Sequence, residues 1–256
     1  MHIVVQNIGG RDYMEDTFIV SEKIINNIDL YCVFDGHGGD FVANFLKNNY
    51  TNILTEIIRE NQHSIPDMIF KSFQEVVKKI PKEQSMHCGS TALVALKYGE
   101  ILFIANAGDC RAIINKNSQV IPITVDHKPN LKKEYDRIQQ NGGFVTFNQY
   151  DAPRVNGNLA VSRSIGDFAL YPHVTWVPDI YITKLEPFNN YLILASDGLW
   201  DTMNNEDVNN IYTKHITENK DIINYEVLKE STMESLQTAR IKGSTDNITI
   251  LVTTLQ

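Results

Sequence analysis

Six acidic residues sit where apolar stretches begin or end. Asp35 follows "LYCVF", Asp109 follows "ILFIANAG" and Asp197 follows "YLILAS", each just past the C-terminal end of a strand-like run. Glu15 and Asp16 precede "TFIVS", and Asp246 precedes "ITILVTT". In an antiparallel sheet the end of one strand lies beside the start of its neighbour, so both sets can gather on one edge. Carboxylates packed together raise one another's pKa, and five or six cannot all stay ionised without cations. Hard divalent ions with oxygen ligands, Mg²⁺ or Mn²⁺, are the expected partners. Taken singly, each acid also suits a turn, since Asp-Gly and Asp-Asn are common turn dipeptides. The joint pattern favours one acidic cluster. With Asp201 included, these acids account for seven of the eight net negative charges.

The stretch "VFDGHGGDF", Val33 to Phe41, has the look of a phosphate-cradling glycine loop after a strand. A dinucleotide fingerprint starting at Gly36 would need glycine where Phe41 stands, and no Gly-Lys-Ser/Thr follows any glycine run. A calcium loop starting at Asp197 fails at Leu199. "HC" at His87 and Cys88 brings a thiolate phosphatase to mind, but Val94 stands where that chemistry needs arginine. The thiolate reading fails.

The elements that must position these groups follow from periodicity. Strand-length apolar runs recur in "DTFIVS", "IDLYCVF", "TALVALK", "ILFIANA", "RAIIN", "YLILAS" and "NITILVTTL", with "KYGE" as a hairpin turn between the third and fourth. Two early helices are predicted. Phe41, Val42, Phe45, Leu46, Ile53, Leu54, Ile57 and Ile58 share one face, and Ile69, Phe73, Val76, Val77 and Ile80 share another. A third helix is expected in "NLKKEYDRIQQN", with Leu131, Tyr135 and Ile138 inward and Gly142 just past its end. Later helices fit "NEDVNNIYTKHITEN" and "EVLKESTMESLQTA". Strands grouped in hairpins, with helices before and after them, predict an α+β domain of mainly antiparallel sheets covered by helices.

Composition is that of a globular protein: 256 residues, 43% hydrophobic, with no repeat and no low-complexity tract. One domain spanning 1–256 is expected, with no regulatory extension. A charge of −8 and the absence of any Lys/Arg cluster argue against binding nucleic acid or anionic membrane. No signal peptide and no spanning apolar run is visible, which predicts a monomeric cytoplasmic protein, with the nucleus also open to it. Cys32, Cys88 and Cys110 cannot all pair within one chain and are read as buried free thiols.

Eight ordered segments carry a resemblance that covers nearly the whole chain, from about Gly9 onward: "GGRDYMED", "VFDGHGGDF", "CGSTALVAL", "IANAGDCRAI", "DHKPNLKKEYDRIQQNGGFV", "NLAVSRSIGD", "LILASDGLWD" and "STDNITILV". In that order they resemble the signature segments of the metal-dependent protein serine/threonine phosphatases of type 2C. The resemblance implies a central sandwich of two antiparallel sheets flanked by helices, a four-layer αββα arrangement with a two-metal centre at one end. Phosphoproteins would be its partners, and dephosphorylation in signalling its role.

By the same resemblance Asp35 bridges two Mg²⁺ or Mn²⁺ ions, with Glu15 and the Gly36 carbonyl on one ion and Asp197 and Asp246 on the other. Asp16 hydrogen-bonds ion-bound water. Two ions about 3.5 to 4 Å apart generate hydroxide near neutral pH, which attacks phosphorus in line without a phosphoenzyme. Arg11 takes the place of the guanidinium that clamps the phosphate, and His37 that of the general acid for the leaving seryl or threonyl oxygen. Asp109 and Asp201 match positions that hold a third, weaker ion in some members. His127 and Asp167 match too and are read as structural, with Arg163 at the rim of the site. The family usually carries a longer flap between the "SIGD" and "SDG" segments, and Cys110 replaces a more usual serine. The alternative is a silent pseudophosphatase kept as a binding module. Such a chain would be expected to lose metal carboxylates, whereas Glu15, Asp35, Asp197 and Asp246 are all present.

Overall fold

The computed structural model describes residues 1–255 apart from 26, 61–63, 118, 150 and 188. Two five-stranded antiparallel sheets form its centre. One runs β1 (His2–Asn7), β15 (Ile248–Thr254), β14 (Asn189–Ala195), β8 (Arg111–Lys116) and β9 (Gln119–Pro122). The other runs β13 (Asp179–Lys184), β7 (Ile101–Ala107), β6 (Ala92–Tyr98), β3 (Ile28–Phe34) and β2 (Thr17–Ser21). A small sheet of β12 (Ile165–Gly166), β5 (Gly89–Ser90) and β4 (Gly36–His37) and a hairpin of β10 (Val145–Asn148) and β11 (Asp151–Val155) complete the strands.

Strand alternation explains the layers. Along β3, Leu30, Cys32 and Phe34 pack under α1 (Phe41–Glu60) and α2 (Ile65–Lys79), while Tyr31 and Val33 turn to the other sheet and meet Leu192, Leu194 and Leu251. Ile193, Ile250 and Val252 face outward on the β14–β15 sheet and are covered by α5 (Asn205–Glu218) and α6 (Tyr225–Ile241). The order is helix, sheet, sheet, helix, as expected. The one-turn α4 (Asp197–Trp200) joins the outer layer of α5 and α6 through Leu199 and Trp200, and α3 (Lys132–Gln140) packs in a separate small core with Val155 and Val174. Ser64 caps α2 and a reciprocal Asn204–Asp207 pair caps α5, satisfying amides that a helix start leaves open.

Register delivers the acids to one edge. Phe34 at the end of β3 pairs with Thr17 at the start of β2, which sets Asp35 beside Asp16. Ala107 ends β7 opposite Ala92, and Ala195 ends β14 opposite Ile250 and Arg111. Asn7 ends β1 opposite Ile248, which brings residues 8–15 against Asp246. All three cysteines are buried free thiols.

The third helix corrects one expectation. Its inward face holds Ile138 as predicted, but the other fully buried residue is Glu134, while Leu131 and Tyr135 are only half-buried. A charged residue holds the place expected for an apolar one because two arginines meet it there, as described below.

Candidate functional site

The strand ends converge on a cleft lined by Arg11, Glu15, Asp35, Gly36, His37, Asp109, Asp197 and Asp246, with Thr91 and Arg154. One carboxylate oxygen from each of Asp35, Asp109 and Asp197 lies within 4.8 Å of the others. These are the three acids that follow the apolar strands. Asp35 is fixed by Thr91, whose hydroxyl accepts from the Asp35 amide at 3.0 Å and whose amide donates to the Asp35 carbonyl at 2.9 Å.

Glu15 and Asp246 lie around this trio. Glu15 accepts from the Gly39 amide at 2.7 Å, and its own amide donates to Asn247 Oδ1 at 2.7 Å. Asn247 Nδ2 donates to the carbonyls of Ile8 and Tyr13, so one side chain ties the loop bearing Glu15 to the segment bearing Asp246. Asp246 carries Arg11, at 2.7 Å and largely exposed. Asp16 is buried beneath the cleft rather than lining it, with Oδ2 accepting from Ser196 Oγ at 2.8 Å.

Charge is concentrated here without full compensation. Burial pushes Asp35 and Asp197 well above the usual carboxylate range, and neighbouring acids add to it: Asp16 and Asp197 at Asp35, Asp109 at Asp197. Burial also pushes Asp16 up to about 6. Among the described residues, Asp16 Oδ1 and Asp109 Oδ1 are buried with no hydrogen-bond partner. Buried carboxylate oxygens without donors are costly unless a cation meets them. Oxygen donors on three sides and orphaned oxygens fit hard divalent cations.

Lys128 is the internal cation that sequence reasoning missed. Its ammonium lies 2.6 Å from Asp109, 3.4 Å from Asp201 and 3.7 Å from Asp197. Burial works against its charge, yet the three acids outweigh it and raise its pKa. Asp201 does not line the cleft: its exposed side chain pairs with this lysine, and its amide donates to the Asp197 carbonyl at 2.8 Å. The signal was the residue after His127 in "DHKP", a cation in a segment already singled out.

His37 enters from β4 and its Nε2 lies 2.7 Å from Asp167 Oδ2. Asp167 is buried, sits at φ 48°, and also accepts from Ser164 Oγ at 2.5 Å. Burial would depress the imidazole, but the Asp167 carboxylate more than offsets it and holds His37 above its ordinary value. Gly89 makes the pair possible, since a Cβ there would run into both the carboxylate and the ring. Gly38, at φ +67°, turns the chain away directly after the histidine. Asp167, read from sequence as structural, therefore touches a cleft residue. His127 is buried and accepts from the Gly108 amide at Nδ1, which braces the turn bearing Asp109.

One expectation about the rim is corrected. Arg163 is not at the rim: it is buried, donating to Glu134 at 2.5 and 3.1 Å, to Asp179 at 2.9 Å and to the Val177 carbonyl. Arg137 and Ser162 complete the shell around Glu134 at 3.0 and 2.9 Å. Burial favours protonated Glu134, but Arg163 and Arg137 overwhelm it and leave it at about 2. No described residue of the short segment between "SIGD" and "SDG" lines the cleft. Among the described residues, Arg154, Leu159, Ala160 and Val161, from the end of β11 and the turn after it, supply one wall.

The chain matches the sequence profile described as Protein phosphatase 2C over residues 3–248. It is 35% identical over 249 residues to probable protein phosphatase 2C 56 of Oryza sativa subsp. japonica, covering 95% of this chain and 67% of that protein. Probable protein phosphatase 2C 71 of Arabidopsis thaliana is 36% identical over 252 residues, which is 95% of this chain and 53% of that protein. Across the first four such relatives the chain spans 53% to 70% of their length. In fold it is similar to a serine-threonine phosphatase 2C from Toxoplasma gondii, with a TM-score of 0.82 at 23% identity over all of this chain and 94% of that one. A C. elegans sex determining protein superposes with a TM-score of 0.89 at 23% identity, over all of this chain and 65% of that one. By sequence over nearly its whole length, the chain belongs to the protein phosphatase 2C family.

Proposed function

We propose that this chain, as a single catalytic domain over 1–256, hydrolyses phosphoserine and phosphothreonine in proteins. The observation that carries this is the trio Asp35, Asp109 and Asp197, brought within 4.8 Å at the floor of an open cleft. Asp35 would hold two divalent ions, Mg²⁺ or Mn²⁺, with Glu15 and the Gly36 carbonyl to one side and Asp197 and Asp246 to the other. Such ions, when bound, supply an acidified water and neutralise phosphate charge. Lys128 already brings positive charge to Asp109 and Asp201, so a third ion there competes with its ammonium.

The chain's own groups do the rest. Arg11 swings from Asp246 to the phosphate oxygens, for which its exposed position and forked donors suit it. His37, protonated and steered by Asp167, donates from the imidazole to the departing seryl or threonyl oxygen. Asp16, with Oδ1 unpartnered among the described residues, accepts a hydrogen bond from water entering the cluster. All four carboxylates whose loss would mark a silent relative are present, which supports the enzyme over the binding module. Among the described residues no helix is long and apolar enough to cross a membrane.

The test is hydrolysis of a phosphopeptide with Mn²⁺, with a chelator, and by Asp35→Asn. Turnover is expected only for the first. A wild-type chain with no metal-dependent turnover would sink the reading.

A further inference from the structure

A second cleft of 580 Å³ opens beside the catalytic one, and His37, Gly38 and Leu159 line both. Its walls are otherwise Met86 and His87 from the segment before β5, Asn158 from the turn after β11, and Ala169 and Leu170 from the 3₁₀ turn at Phe168–Leu170. Backbone bonds clamp two of these walls together. The amides of Asp167, Phe168 and Ala169 donate to the carbonyls of Cys88, Ser85 and Met86 at 3.1, 3.3 and 3.0 Å. The cleft is therefore built on fixed backbone.

Its chemistry differs from that of the catalytic cleft. Among its described lining residues Asp167 is the only carboxylate, and His37 and Ser164 already engage it. Met86 is 38% exposed there, with Leu159 and Leu170 half-buried beside it. A thioether with several rotatable bonds adapts to varied apolar shapes. A volume of this order takes more than one side chain. Each extended residue advances a chain by about 3.3 to 3.6 Å, so residues one or two from a phosphoserine held beside His37 reach this cleft.

We propose that this second cleft seats the polypeptide flanking the phosphorylated residue and selects substrates with an apolar side chain within two residues of it. The inference rests on the phosphatase reading above. It adds a specificity-determining surface made by Met86, Leu159 and Leu170. These side chains favour the correct flank by burying it, while a charged flank set against them must lose water on entry.

The experiment uses phosphopeptides that differ only by Leu, Ser, Lys or Asp at each position within two residues of the phosphoserine, with p-nitrophenyl phosphate as a substrate without flanks. Wild-type kcat/KM should favour Leu by about tenfold or more at one position at least, the discrimination expected of an apolar pocket. Met86→Glu should switch that position's preference to Lys, and Met86→Lys should switch it to Asp. Both variants should hydrolyse p-nitrophenyl phosphate at the wild-type rate, since Met86 is exposed and only its backbone ties the walls. An inversion of charge preference is an effect that damaged packing would not produce. Equal rates for Leu and Ser at every position, or unchanged preferences in both variants, would overturn the assignment while leaving the phosphatase intact. Failure of both peptides and p-nitrophenyl phosphate would instead overturn the phosphatase reading, and this one with it.

Discussion

The molecule buries acids in two places and treats them in opposite ways. Around Glu134 each carboxylate oxygen meets a guanidinium, and the pKa falls to about 2. Around Asp35 the acids outnumber the cations, two buried oxygens have no donor among the described residues, and the pKa values rise. Burial acts in the same direction in both. The difference is where the counter-charge comes from: in one region the chain supplies it in full, in the other Lys128 supplies only part of it. A compensated cluster locks structure, and an uncompensated one is available for chemistry.

Removing an acid should therefore have opposite consequences in the two regions. Asp246→Ala is expected to take phosphopeptide turnover to background while circular dichroism and melting temperature without metal stay at or above wild type, because a repelling charge has gone. Turnover at the wild-type rate would show that Asp246 is not a ligand. Glu134→Gln should do the reverse and leave the buried Arg163 short of charge, lowering stability by about 3 to 5 kcal/mol. Urea unfolding measures this, and a loss no larger than a surface substitution gives would erase the contrast.

Acidity separates the two next. Glu134 is depressed in the folded state, so its contribution is full above its usual 4.5 and fades as pH falls toward about 2. That contribution is on the order of 3 kcal/mol. Asp16 is raised to about 6, so its ionisation opposes folding, and the metal-free protein should gain stability as pH falls through 6 toward 4. Saturating Mn²⁺ should remove that gain. Identical pH profiles of unfolding in chelator and in Mn²⁺ would break the comparison. The smallest effect is expected where a cation is exposed and exchangeable. Arg11→Lys should raise KM for phosphopeptide by about tenfold, through loss of paired donors, and leave unfolding unchanged. An unchanged KM would remove Arg11 from phosphate binding.

The site was legible because its acids follow from strand register. Asp35, Asp109 and Asp197 end long apolar strands, and antiparallel pairing left them little choice of edge. The four-layer fold was legible for the same reason, through runs such as "IDLYCVF" whose alternate residues serve two cores. β1 and β13 were not anticipated, since each is an edge strand with one-sided burial and a weaker apolar signal. Glu134 was hidden because a glutamate in a polar helix reads as solvent-facing. Its partner Arg163 lies 29 residues away, and only the fold brings them together. Asp167 likewise gave no local sign that it would meet His37 across 130 residues. The resemblance to a family assigned roles that spacing alone left open.

Asn247 joins the loop of Glu15 to Asp246, and β1 pairs with β15. In biosynthesis this sets an order of events. Arg11, Glu15 and Asp35 are translated early, but the carboxylate of Asp246 and the amide that braces Glu15 emerge more than two hundred residues later. Until the segment bearing Asp246 and Asn247 is made, the cluster lacks one carboxylate, Arg11 lacks its ion-pair partner and the loop of Glu15 lacks its brace. The carboxylate cluster therefore closes only when β15 docks beside β1, which makes the completion of the cleft wait on a contact between distant parts of the chain.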